Sequence, residues 1–144
     1  MNSINQKQNQ GKVTIYRFDV FKGQADSNGK IHKLKSVGSA YLREGLSTYT
    51  LHLKTLLKDS FYLLQNTKSS SPDFVILTRE PSQNPKRKYF WNNVGEGSVM
   101  GADNEGIMKL KWDIFSGELY MKVEPLSVTE INEGESEVAA LAAA

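Results

Sequence analysis

At 144 residues the chain has room for one domain built on one hydrophobic core. A mean hydropathy of -0.46 without a long apolar run excludes a membrane-spanning helix, and the lack of cysteine excludes thiol catalysis, disulfides and thiolate metal sites. The net charge of +2 conceals a split: Lys12 to Pro125 carries 17 basic against 12 acidic residues, while beyond it stand only the acids Glu130, Glu133, Glu135 and Glu137. A core of +5 followed by a tail of -4 fits an anionic partner for the core, or simply solubility.

The opening MNSINQKQNQ has neither the apolar stretch nor the cleavage site of a secretory signal, which leads us to expect a cytoplasmic protein. Residues 1–11 are too polar to offset the entropy of ordering and are expected to be a flexible arm. From Lys12 the text turns to KVTIYRFDVF, whose apolar set moves from Val13 and Ile15 to Tyr16, Phe18 and Val20, as a bulge near Ile15 would cause. Asn28-Gly29 then supplies the positive-φ pair of a tight hairpin turn. In the following strand, IHKLKSVGSAYLRE, Gly38 predicts a second bulge or a close backbone approach.

LSTYTLHLK alternates cleanly, with Tyr49, Leu51 and Leu53 on a buried face and Thr48, Thr50, His52 and Lys54 on a wet one. TLLKDS reads as a helical turn or strand corner, FYLLQN as a strand, the serines at 69–71 as a loop, and DFVILT as a strand covered on both faces. REPSQNPKRK reads as a long loop on account of its two prolines. Beyond it, YFWNNVGEGSVM is extended and IMKLKWDIF points Met108, Leu110, Trp112 and Ile114 inward. A tight turn at Ser116-Gly117 leads into ELYMKVEP, with Leu119, Met121 and Val123 on one face, and Pro125 ends the sheet. About eight short strands without an amphipathic helix predict an all-β antiparallel barrel or sandwich spanning residues 12–125, with an OB-like barrel among the options. Residues 126–144, acidic and then alanine-rich, are expected to be a disordered tail.

Catalytic and metal-binding patterns are weak. His32 and His52 read as solvated strand residues, and a zinc site would need both of them with two distant acids. The turns at Asp26 and Asp103 lack the twelfth-position glutamate of a calcium loop and read as Asx-type turns. Gly95, Gly97 and Gly101 form no phosphate cradle, because no helix follows them, and instead suit a bulge and a turn. No cofactor and no catalytic or metal site is expected.

One cluster does carry chemistry. Lys86, Arg87 and Lys88 run into Tyr89, Phe90 and Trp91, which pairs cations for phosphates with rings on which bases stack. Lys109, Lys111, Tyr120 and Lys122 form a second basic and aromatic face on the next predicted hairpin. The same residues also read as core, edge cover and guards against edge-to-edge association, with Phe90 the core member.

Val37 to Leu64, through Gly38, Ala40, Tyr41, Tyr49, Leu51 and Leu53, resembles the G-A-A-W and Y-L-S-V-K-L pattern of short uncharacterised bacterial proteins, many plasmid-borne. It departs from them at Tyr41, where tryptophan is usual. The resemblance implies a bacterial or mobile-element origin and a small β fold, and brings no functional residues.

Two functions are therefore expected: a non-enzymatic module for single-stranded nucleic acid, or a protein-interaction or homo-oligomer module using an exposed strand edge. The ending AALAAA has the look of a protease-recognised terminus or of a featureless tail.

Overall fold

The computed structural model describes residues 11–56, 59–67, 72–113 and 118–132. They form one antiparallel sheet of nine strands: β1 (Lys12–Ala25), β2 (Ile31–Arg43), β3 (Thr48–Leu53), β4 (Phe61–Gln65), β5 (Phe74–Pro81), β6 (Tyr89–Val99), β7 (Ile107–Trp112), β8 (Leu119–Lys122) and β9 (Ser127–Asn132). Strands β2 to β8 pair in chain order and β1 pairs with both β2 and β8, which closes the sheet into a ring. The expected all-β antiparallel class is found in its closed form. Its sequential order is a meander, unlike the Greek key of an OB barrel. No helix among the described residues is long and apolar enough to cross a membrane.

Closure is uneven because β1 takes two partners along one edge, β9 at Lys12–Arg17 and β8 at Val20–Lys22. The sheet therefore does not end at Pro125, and residues 127–132 do not belong to a disordered tail. The Leu126 N–H donates to the Arg17 carbonyl at 2.6 Å and lays SVTEIN along β1, where Ile131 is buried with Ile15 beside Val13 and Tyr41. This second buried face also accounts for the odd-to-even shift in β1. Val13 and Ile15 pack outside the ring and Tyr16, Phe18 and Val20 inside, with no bulge at Ile15. The expectations for residues 1–10, 57–58 within TLLKDS, 69–71, 114–117 and 133–144 lie outside the described residues.

Inside the ring, the alternating residues of β3, β7 and β8 converge on Phe18, Val20, Phe61, Leu63 and Ile76. Full burial of such side chains contributes about 1.5–3 kcal/mol each. Phe61 meets Trp112 edge-on at 4.8 Å, and Phe18 meets Tyr49 at 5.3 Å. Gly95 makes room for this packing: a Cβ there would lie 2.4 Å from the Lys111 carbonyl oxygen. The expected bulge in this stretch is present, with Val94 as its extra residue.

β5 is not covered on both faces. Ile76 is fully buried inside the ring, whereas Val75 and Leu77 lie outside and are only half-buried. β5 also runs on to Pro81, so Arg79, Glu80 and Pro81 are strand and not loop; Pro81 is tolerated as the last residue of a two-stranded projection.

The β1–β2 hairpin is bent at register shifts beside Val20/Phe21 and Lys22/Gly23, where Val37 and Leu34 are the extra residues of β2. Gly38 combines the bulge and the close approach, since a Cβ on it would lie 2.2 Å from the His52 carbonyl oxygen. Past the bend, the hairpin tip folds across the outside of β8 and β7, burying Phe21, Ile31, Ile107 and Tyr120 together. Asn104 pins it there: its Oδ1 accepts from the Ile31 N–H at 2.8 Å and its Nδ2 donates to the Gly29 carbonyl at 2.9 Å. The two turns read from the sequence thus meet, but only the one at Asp26 is of Asx type: Ala102–Asn104 is a 3-10 turn without a side-chain cap. In the tip, only Gly29 of the Asn28-Gly29 pair adopts a positive φ, of 82°, while Asp26 Oδ1 accepts from the N–H groups of Asn28 and Lys30.

Candidate nucleic-acid interface

The cationic turn sits at the tip of the β5–β6 hairpin. Ser82 N–H donates to the Lys88 carbonyl at 3.1 Å, and Asn84 Oδ1 accepts from the Lys86 N–H at 3.0 Å. Lys86, Arg87 and Lys88 are exposed on this short, side-chain-capped turn. Period-two alternation then sends Tyr89 and Trp91 to the outer face of the ring and Phe90 to the opposite side. Phe90 is not core: it is 43% exposed, on the part of the hairpin that projects past the ring, with the Arg87 guanidinium 5.6 Å from its ring centre.

On the outer face the register places Arg79 opposite Trp91 and Pro81 opposite Tyr89, with Tyr62 of β4 opposite Leu77 one strand over. The side chains interlock. The Arg79 guanidinium lies 4.3 Å from the centre of the Tyr89 ring and 5.2 Å from that of Tyr62, while Tyr62 and Trp91 meet edge-on at 5.4 Å. Lys88 reaches 5.6 Å from the Tyr89 ring. Each cation–π contact of this exposed kind contributes about 0.5–1 kcal/mol and holds the rings at fixed angles. The product is a ring platform with Trp91 51% exposed, bordered by Arg79 and Lys88.

Tyr62 and Arg79 were not singled out in the sequence. Tyr62 sits in an apolar run, and Arg79 is recognisable only once the hairpin length is known, which sets it across from Trp91.

The second predicted face divides. Lys109, Lys111 and Lys122 do lie outside, with Lys109 opposite Tyr120 and Lys122 opposite Ile107. Tyr120, however, is 1% exposed and cannot receive a base. Its ring stacks on Phe21 at 5.8 Å, and its hydroxyl donates to a carboxylate oxygen of Glu118. Burial, together with that carboxylate, pushes the Tyr120 phenol well above its ordinary value of 10.0. Lys109 pairs with Glu118 at 3.5 Å, and Lys122 lies 5.8 Å from the Phe21 ring. Lys111 stands opposite Glu96 in a shallow depression shared with Asn93 and Asp113. Carboxylates therefore separate this lysine row from the Trp91 platform.

Neither histidine has ligand company: among the described residues no group of three or more His, Asp or Glu gathers to hold a metal ion. His32 is exposed and hydrogen-bonded to Asp26 at 2.8 Å. His52 is not the solvated residue expected, because its Nε2 is buried and its ring lies 5.5 Å from Tyr41. No family model, no curated protein and no solved structure matches this chain, so the reading of the site rests on its own geometry.

Proposed function

We propose that this chain is a non-enzymatic, cytoplasmic binding module of bacterial origin that holds single-stranded nucleic acid on the outer face of β4, β5 and β6. One observation carries the reading: an exposed tryptophan, braced by two tyrosines and an arginine, at the foot of a turn with three consecutive cations. Bases stack on Trp91, the Tyr62 and Tyr89 edges and the Arg79 plane bound the stacking surface, and Lys86, Arg87 and Lys88 take phosphates. Lys109 and Lys111 extend the path only beyond the Glu96 and Asp113 carboxylates. Stacking accepts any base, so binding has little sequence preference.

The test is fluorescence anisotropy of a labelled single-stranded oligonucleotide against the full chain at low and moderate salt, repeated with Trp91→Ala. Salt-dependent binding that weakens with the substitution supports the reading, and no binding at low salt sinks it. The half-buried Leu64, Val75 and Leu77, which share the outer face with Trp91, favour a second reading, in which the same face docks a protein or a second copy. That reading expects an association that is insensitive to salt and oligonucleotide and is lost in Trp91→Ala by size exclusion.

A further inference from the structure

A cavity of about 240 Å³ opens at the end of the ring where β1 and β2 bend. Its floor is apolar, made by Val37, Leu53 and Leu119, and its rim carries Lys22, Lys35 and Lys54. Sequence and topology together produce it. The extra residue Val37 enters at the bulge of β2, its carbonyl accepting from the Lys54 N–H at 2.9 Å. Leu53 and Leu119 are the last inward residues of β3 and β8 at this end.

The rim is electrostatically incomplete. Lys22 and Lys35 are direct register partners on β1 and β2, and like charges placed opposite each other across a strand pair repel. Two other lysines of the fold are answered by carboxylates: Lys33 is held by the buried Asp19 at 2.7 Å, and Lys109 by Glu118 at 3.5 Å. Among the described residues no carboxylate lies within ion-pair distance of Lys22, Lys35 or Lys54. Three exposed cations around an apolar hollow suit an occupant that is negative at one end and apolar at the other.

We propose that this cavity binds a small amphipathic carboxylate, its chain on Val37, Leu53 and Leu119 and its head between the three lysines. Size sets the class. A dry cavity of about 150 Å³ accommodates benzene, so this one takes a chain of roughly six to eight carbons. The site stands apart from the Trp91 platform and does not depend on the nucleic-acid reading.

Isothermal titration calorimetry of the full chain with octanoate, octanol and acetate tests it, because the three probes separate chain from head. Octanoate is expected to bind one per chain, octanol at least tenfold more weakly and acetate not measurably. Equal affinity for octanoate and octanol would overturn the role of the lysines, and no octanoate binding at millimolar concentration would overturn the site. The double variant Lys22→Gln/Lys35→Gln should lose tenfold or more in octanoate affinity while its thermal midpoint stays at or above the parent's, since it removes a repulsion. Lys54→Gln alone, at the end of β3, gives an independent loss of severalfold. Unchanged octanoate affinity in both variants, or amide shifts on titration that avoid Leu53 and Leu119, would show binding elsewhere and dispose of the proposal.

Discussion

The outer faces of β6 and β8 carry the same kind of text, an aromatic among cations, yet Trp91 is 51% exposed and Tyr120 is 1% exposed. Alternation correctly sends both outward. What separates them is the β1–β2 hairpin, which is bent at two bulges, lies over β8 and is pinned by Asn104. Among the described residues no such cover reaches the β5–β6 projection. Facing outward from a ring and facing water are therefore different properties, and the second depends on a segment some ninety residues away in sequence.

The largest effect that would break this comparison is on stability. Tyr120→Ala removes a buried ring from the Phe21, Ile31 and Ile107 cluster and takes the donor from Glu118, so it should cost about 3–5 kcal/mol in chemical denaturation. Trp91→Ala, on the exposed platform, should cost no more than about 1 kcal/mol. Equal losses would mean that the two aromatics are covered alike.

The same pair reverses order in binding. Loss of one stacking ring weakens oligonucleotide binding by about 1–3 kcal/mol, roughly 5-fold to 150-fold in Kd, for Trp91→Ala. Tyr120→Phe, which keeps the buried ring, should leave Kd unchanged. A Tyr120→Phe variant that binds as poorly as Trp91→Ala would return the second face to the site.

Asn104→Ala tests the pin itself. It strips a buried acceptor from the Ile31 N–H and a donor from the Gly29 carbonyl, for an expected loss of about 2 kcal/mol. Hydrogen exchange should then quicken at Ile31 while remaining unchanged in β5 and β6. Smaller still is the charge effect: neutralising Lys86, Arg87 and Lys88 to Gln should flatten the slope of log affinity against log salt by about 2, at ~0.7 per single-strand phosphate contact. An unchanged slope would place the phosphates elsewhere.

Strand alternation made the antiparallel strands legible, and hence the inward set of Leu51, Leu53, Met108, Leu110 and Trp112, but it left barrel and sandwich open. Long-range covering was not legible. SVTEIN has the β-branched residues of a strand, but its place on β1 depends on an edge left open where β8 stops, and local text does not carry that. The exposed half of the site was readable because three cations and three aromatics are adjacent in sequence. Tyr62 and Arg79 reach it through register, so they became visible only once the β4–β5–β6 pairing was known. Tyr120 misled because β7 and β8 show nothing of Gly23, the residue that lets the hairpin close over its ring: a Cβ on Gly23 would lie 2.7 Å from it.

The finest test concerns His52, outward like Trp91 but half-buried. Its Nε2 has no hydrogen-bond partner among the described residues, and burial lowers its pKa below the ordinary 6.5. Above pH 6.5 the ring is neutral in both folded and unfolded chains and has no effect on the pH dependence of stability. As pH falls below that value the unfolded chain takes up a proton that the folded chain resists, so stability declines until the folded pKa is passed. Asp26 acts in a separate window. Its carboxyl is held below 3.8, chiefly by the His32 hydrogen bond, and its contribution is present above that pH and lost only at stronger acid. Denaturation midpoints measured from about pH 7 to about pH 5 should therefore slope downward in the parent and flatten in His52→Phe, which keeps the contact with Tyr41 without the titration. If both slopes are equal, the proton goes elsewhere and the outer face of β3 is wetter than its geometry indicates.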